Sequence, residues 1–387
     1  MYNIATLNKI SPVGLNCLTD QYTIVDEVAE ATGILVRSQD MLSMEFSKNL
    51  LAIARAGAGV NNIPVDRCAE EGIVVFNTPG ANANAVKELV LAALFLGSRH
   101  IAEAIDWANG LVGNEDAAKA VEKGKSQFAG NEIMGKTLGV VGLGAIGVSV
   151  ANAAEKLGMN VIGNDPYMTL AAAHNLSNTI PVVATLEELL PNCDYITIHV
   201  PAKPNTNGMI NKETISMMKA GVTFLNFSRD KLVNDDDMLE ALASGKVGKY
   251  ITDFPNNKLV GKDGVVCIPH LGASTEEAED NCAVMATKEL MDYIENGNIK
   301  NSVNFPECNL GPVHGTRICV LNKNVPAMLS AITGAIGDLG LNIANLLNKS
   351  KGDYACTMVD IDGQVDETHL AEVLSIPGII RIRVINK

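Results

Sequence analysis

Residues 138–165 read LGVVGLGAIGVSVANAAEKLGMNVIGND, and this stretch restricts the fold more than any other. The uncharged run from Thr137 to Ala154 approaches the length of a membrane span, yet it carries four glycines and several polar residues. A buried strand and a tight turn fit it better than a span does. Gly142, Gly144 and Gly147 form GxGxxG between an apolar strand and an alanine-rich helix. The first glycine permits the turn, the second lets a pyrophosphate approach the backbone, and the third lets helix and strand pack closely. With Ala145 and Ile146 opening the helix, its free N–H groups face an anion. Asp165 ends the next strand, placed to accept hydrogen bonds from the adenosine ribose and to repel a 2′-phosphate. Pro166, Tyr167 and Met168 follow it without an arginine, so the pattern selects NAD over NADP.

Around this turn the chain alternates apolar runs with helical patterns. TLGVVGLG, NVIGND, DYITIHVP, GVTFLNFSRD, GKYITDF and GVVCIPH are six strand candidates, which predicts a doubly wound parallel sheet. GILVRS, LLAIARAGAGV and GIVVFNTPG predict a second parallel α/β domain before it. Residues 84–108 read as one helix, and a helical pattern from Thr275 to about Asn296 leaves the central domain. NSVNFPECNLGP, with two prolines and little periodicity, reads as a linker. From Thr316 the order becomes βαββαβ in about 70 residues, a ferredoxin-like module. The expected fold class is therefore α/β, with two doubly wound, Rossmann-like parallel-sheet domains and a C-terminal ferredoxin-like domain. For 387 residues, two or three domains are expected.

A net charge of -14 argues against broad binding to a phosphate backbone, so no nucleic-acid partner is expected. An anionic substrate must then meet a local concentration of arginines. The eight cysteines include no CxxC pair, and the N-terminus shows no basic region before an apolar core. A reduced, cytoplasmic chain with no membrane partner is expected. Neither GxSxG nor HExxH occurs, so hydrolase and metalloenzyme readings find no support, and no metal is expected.

RAGAGVNNIPVD (55–66), NTPGANANAVKEL (77–89), GLGAIG (142–147), NFSRD (226–230) and PHLGAST (269–275) occur in this order. Together they resemble the D-isomer-specific 2-hydroxyacid dehydrogenases, in particular the branch that oxidises 3-phospho-D-glycerate to 3-phosphohydroxypyruvate and opens serine synthesis. The resemblance covers nearly the whole chain. It implies a substrate-binding domain at 1–92 with 283–305, an NAD-binding domain at 93–282 and an active cleft between them. A linker at 306–315 and a regulatory module at 316–387 resembling an ACT domain would follow. The segment around Trp107 would embrace a second subunit, giving a homodimer or homotetramer.

The resemblance also assigns roles. His270 matches the acid/base, and histidine suits that task because it exchanges a proton near neutrality. Arg229 matches the arginine that orients the carboxylate, as a guanidinium fork can. Arg37, Arg55 and Asn82 match phosphate contacts, and the turn Gly57, Ala58, Gly59 would offer N–H groups to the carboxylate. Val200, Phe227, Ser228, Gly272 and Ala273 would line the cofactor with Asp253, which otherwise reads as a turn-capping aspartate. The other histidines (100, 174, 199, 314 and 369) read as structural, although His199 ends a strand at the cofactor edge. Lys123 and Lys125 read as solvated helix charges.

One departure stands out. The family carries a glutamate a few residues beyond the aspartate matched by Asp253; here TDFPNNKLV supplies Asn256, Asn257 and Lys258. Either another acid substitutes, with Glu276 and Glu277 as candidates, or His270 works without a charged partner. In the terminal module Asn322, Asn324 and Asn342 match positions that bind L-serine as an effector, but Asn322 stands where histidine is common and Ala327 replaces a glycine. Other readings are a glyoxylate or hydroxypyruvate reductase and a non-catalytic NAD-sensing scaffold, the second disfavoured because Arg229 and His270 are both present.

Overall fold

The computed structural model describes residues 1–387 apart from the side chains of Glu367 and His369. Contacts divide the chain into two compact units, Met1–Asn82 with Glu276–Lys387 and Ala83–Thr275. The cuts fall at the starts of two long helices, Ala83–Arg99 and Glu276–Asn296. The expected boundaries at 92/93 and 282/283 lie inside those helices.

The first unit opens with five parallel strands, β1 (Tyr2–Leu7), β2 (Tyr22–Val25), β3 (Gly33–Val36), β4 (Ala52–Arg55) and β5 (Val74–Phe76), in the order β2-β1-β3-β4-β5. Strands β3, β4 and β5 are almost wholly buried and were legible as unbroken apolar runs. Sequence reading missed β1 and β2, whose partly exposed residues break that signal.

The second unit holds seven parallel strands, β6 (Thr137–Val141), β7 (Asn160–Asn164), β8 (Val182–Val183), β9 (Tyr195–Ile198), β10 (Val222–Asn226), β11 (Val247–Thr252) and β12 (Val265–Cys267). Their order is β12-β11-β10-β9-β6-β7-β8. The order reverses between β6 and β9, the switch point where such sheets open a crevice. The two-residue β8 adds a seventh strand to the expected six. The single helix expected over 84–108 is two, Ala83–Arg99 and Ile101–Asn109, because His100 between them is left-handed at φ 50°.

Back in the first unit, β13 (Thr316–Lys323), β14 (Asn342–Lys351), β15 (Tyr354–Asp362) and β16 (Ile379–Asn386) form an antiparallel sheet in the order β14-β15-β13-β16. With the helices Met328–Asp338 and Ala371–Leu374 this is the expected βαββαβ arrangement. One face of the sheet packs on those helices through Ile318, Val320, Val359 and Ile382. The other sends Cys319, Leu321, Cys356 and Met358 into a core with Tyr293, Ile294 and Phe305. The inner strands β13 and β15 are thus buried on both faces, while the edge strand β14 stays largely exposed. Arg317, fully buried, forks onto Asp360 at 2.6 and 3.0 Å and donates to the carbonyls of Asn296 and Gly311 at 2.9 and 2.8 Å. The segment read as a linker supplies buried Cys308 and Val313 to the same core.

Candidate functional site

In the second unit the glycine turn joins β6 to the helix Ala145–Lys156. Gly142 has φ 90°, and a Cβ there would strike the His199 carbonyl. A Cβ at Gly147 would overlap the Gly142 carbonyl, so helix and turn close only on glycine. Gly144 has nothing within 4 Å of its missing side chain, which leaves an open cradle above the helix N-terminus. Ala145 is exposed and Ile146 half-buried beside it. Asp165 follows β7, and its carboxylate accepts from the N–H of Leu143 and of Tyr167, both at 2.8 Å. The acid is thereby fixed at the rim of the turn. Open backbone, helix N-terminus and a fixed acid fit the pyrophosphate and ribose of NAD.

Three polar side chains follow the C-terminal ends of β10, β11 and β12, the same edge of the parallel sheet as the glycine turn. Arg229 follows β10 through Phe227 and Ser228, in a corner braced where the Asn226 side chain donates to the Arg229 carbonyl at 2.9 Å and accepts from the Ser228 N–H at 3.1 Å. Its Nη1 donates to the Ser228 carbonyl at 2.6 Å. Asp253, just past β11, is 1% exposed, and its Oδ1 is buried without a hydrogen-bond partner. Burial pushes the Asp253 carboxyl above its ordinary value, opposed by His270, the Gly272 N–H and Arg229. His270 itself is exposed, with its ring 4.7 Å from that of Phe254. The structure therefore brings Arg229, Asp253 and His270 into one electrostatic group. Ala273 and Val200 are half-buried.

His199 differs from the other histidines. Nε2 shares a 3.0 Å hydrogen bond with Thr197, Nδ1 is buried without a partner, and burial pushes the pKa down to about 3. The ring is neutral at any working pH. The side chain of His369 lies outside the described residues.

Beyond Asp253, the segment FPNNKLV holds no carboxylate where the family has its glutamate. The Asn256 amide donates to Asp235 at 2.8 Å, Lys258 pairs with Asp236 at 2.7 Å, and Asn257 is exposed. Glu276 and Glu277 are exposed in the first turn of Glu276–Asn296.

The first unit places Arg55 at the end of β4, directly before the Gly57–Gly59 turn. A Cβ on Gly57 would overlap the Arg55 guanidinium, so glycine leaves room for that group. The turn is tied to β5, since Thr78 N–H donates to the Gly57 carbonyl at 3.1 Å and the Asn77 amide to the Ala58 carbonyl at 2.6 Å. Arg37, expected on phosphate, pairs with Glu279 at 2.8 Å. Glu279 was not foreseen; its spacing from Glu276 in the first turn was the signal available. Asn82 is half-buried at the end of this part of the unit.

In the C-terminal sheet a cavity of about 240 Å³ is lined by Asn322, Asn324, Asn348, Met328 and Ala355 among others. Asn322 is 1% exposed and its Oδ1 has no partner. Ala327 at its rim is held at φ 65°, where the matched glycine would sit without strain. Two of the three expected effector asparagines meet here. Asn342 does not line the cavity and instead donates to Asp362 at 2.6 Å, while Asn348 went unnoticed in sequence.

Known proteins are similar to this chain over most of its length. The model of the NAD-binding domain of D-isomer specific 2-hydroxyacid dehydrogenases matches residues 92–272. D-3-phosphoglycerate dehydrogenase of Escherichia coli (strain K12) is 32% identical over 95% of this chain and 90% of its own. The protein of that name from Haemophilus influenzae is 31% identical over 93% and 89%. The structure of NAD+-bound 3-phosphoglycerate dehydrogenase from Entamoeba histolytica matches with a TM-score of 0.63 at 26% identity, covering 78% of this chain and 98% of that one. Identity that extends through the terminal module, together with the glycine turn and the Arg229, Asp253, His270 group, leads to one assignment: the chain belongs to the D-3-phosphoglycerate dehydrogenases of the D-isomer specific 2-hydroxyacid dehydrogenase family.

Proposed function

We propose that the protein oxidises 3-phospho-D-glycerate to 3-phosphohydroxypyruvate with NAD. The observation that carries this reading is the grouping of Arg229, Asp253 and His270 in the same unit as a turn that fits NAD. His270 takes the C2 hydroxyl proton in oxidation and returns it in reduction. Arg229 forks onto the carboxylate and steadies the developing carbonyl. The nicotinamide, when bound, exchanges a hydride with C2. Asp253 is the acid that stabilises the His270 imidazolium in place of the family glutamate; among the candidates it alone acts on His270 from within a buried setting. Arg55 and Asn82 hold the phosphate with Arg37, whose bond to Glu279 must open or be shared when the dianion arrives.

An absorbance assay of NADH consumption tests this. Phosphohydroxypyruvate should have a kcat/KM about 10²-fold or more above hydroxypyruvate and glyoxylate, in line with charge-assisted contacts of about 1.5–3 kcal/mol each. Arg55→Ala should narrow the gap, and NADPH should be a poor substitute because Asp165 faces its extra phosphate. Equal efficiency on all three acids would reject the phosphoglycerate assignment.

Two finer readings belong with it. The cavity at Asn322 takes a small amino acid, with L-serine the first ligand to try by calorimetry. An Asn322→Ala variant should lose the heat of binding, and absence of heat in the unaltered protein at millimolar serine would remove the effector role. Self-association follows from the apolar side chains left exposed around Trp107: Phe95, Ile105 and Val112 are 39%, 53% and 90% exposed. Sedimentation at micromolar concentration should give at least a dimer mass, and a monomer would refute it.

A further inference from the structure

Glu289 lies on Glu276–Asn296, is 8% exposed, and takes no part in the chemistry above. Its Oε1 accepts from the Asn301 amide at 2.6 Å, and Oε2 is buried without a partner. Asn301 stands in the left-handed region at φ 58°, which asparagine tolerates. Its carbonyl accepts from the Asn77 N–H at 3.3 Å, and the Asn77 side chain donates to the Ala58 carbonyl at 2.6 Å. A continuous path of hydrogen bonds thus runs from a buried carboxyl on the long helix to the Gly57–Gly59 turn, all within the first unit.

We propose that Glu289 is a positioning residue for the Gly57–Gly59 turn, acting through Asn301 and Asn77, and that its charge state sets how firmly the turn is held. The inference rests on the substrate-binding role given to that turn above. An ionised carboxylate accepts the Asn301 hydrogen bond more strongly than a neutral carboxyl does, and so holds Asn301 in its left-handed conformation. Burial pushes the Glu289 carboxyl up to about 7, so this change falls near neutrality; the Asn301 bond and Lys300 act in the opposite direction.

The charged groups around Glu289 come from the helix itself, β4 and the C-terminal sheet. Strands β3 and β5 and the turn Pro12–Leu15 are uncharged. Arg55 ends β4. From the C-terminal sheet, Arg317 and Arg383 donate to carbonyls of the helix's last turns, and Lys351 donates to the carbonyls of Ser302 and Val303. On the helix itself Lys288 adjoins Glu289, and Asp292 accepts from Asn296 and Asn298.

The test uses the full chain with Glu289→Gln, which keeps the shape and an acceptor but has one charge state. Without substrate, the Ala58 and Gly59 amide resonances of the unaltered protein should titrate between pH 6 and 8. KM for phosphohydroxypyruvate should fall about two- to tenfold over the same span, the worth of one hydrogen bond. In Glu289→Gln the amide titration should vanish and the KM change should shrink to the part set by the substrate phosphate's own second ionisation near pH ~6, while the pH dependence of kcat stays. Asn301→Gly, which keeps the backbone and deletes the donor, should do the same and serves if the first variant does not fold. Resonances that still titrate in either variant overturn the proposal. Resonances that titrate only in the unaltered protein, with the same KM profile in the unaltered protein and the variants, uphold the positioning and instead refute the turn's substrate role.

Discussion

Replacing His270 by glutamine should slow reduction of phosphohydroxypyruvate about 10²- to 10⁴-fold in kcat, the range for loss of a positioned proton carrier. NADH affinity should stay nearly unchanged, because the glycine turn and Asp165 do not depend on this ring. Arg229→Lys probes the second member differently: the charge stays but the two-pronged fork is lost, so KM and kcat should both worsen. Asp253→Asn completes the series. It removes the buried carboxylate that acts on both His270 and Arg229 and should depress kcat well beyond Asn257→Ala, since Asn257 is exposed. A Glu276→Gln or Glu277→Gln variant that fell as far as Asp253→Asn would move the partner role to that glutamate. If His270→Gln kept more than a tenth of the activity, the proton would have to come from another group. Binding of NADH followed by fluorescence separates such a chemical defect from a binding one.

The second large effect concerns stability. Asp360→Ala should cost about 3–5 kcal/mol, because it leaves the fully buried Arg317 guanidinium without its counter-charge. Arg317 also donates to the carbonyls of Asn296 and Gly311, so the loss reaches the end of the long helix as well as the sheet. The double replacement Arg317→Met with Asp360→Leu should recover most of the loss, since it removes both charges and fills the space with apolar atoms. Denaturant unfolding followed by far-ultraviolet circular dichroism measures both against the unaltered protein. A cost below 1 kcal/mol for Asp360→Ala would mean that water or another acid reaches the guanidinium. If the double variant were as unstable as Asp360→Ala, the carbonyl bonds rather than the ion pair would dominate.

The parts legible in sequence were those whose physics is local. The glycine turn, its helix and Asp165 lie within 28 residues, and Gly142 and Gly147 are demanded by the adjoining strand end and by the turn itself, while Gly144 stays open. Strands β3, β4 and β5 were visible because burial on both faces leaves an unbroken apolar run. The roles of Arg229 and His270 came from resemblance, since 41 positions separate them and no periodicity joins them. Tertiary structure decided what depends on distant pairs. Arg37 reads as a phosphate ligand until Glu279, far along the chain, is seen beside it. Glu289 looks like a solvated helix residue until the segment carrying Asn301 folds back along β5 and removes its water. The antiparallel module was legible from its alternating elements, but not the burial of its second face, because Cys319, Leu321 and Met358 suit an independent sheet as well as one packed on Tyr293 and Phe305. Local propensity and pattern specify an element; desolvation of charge and the pairing of faces arise only when remote segments meet.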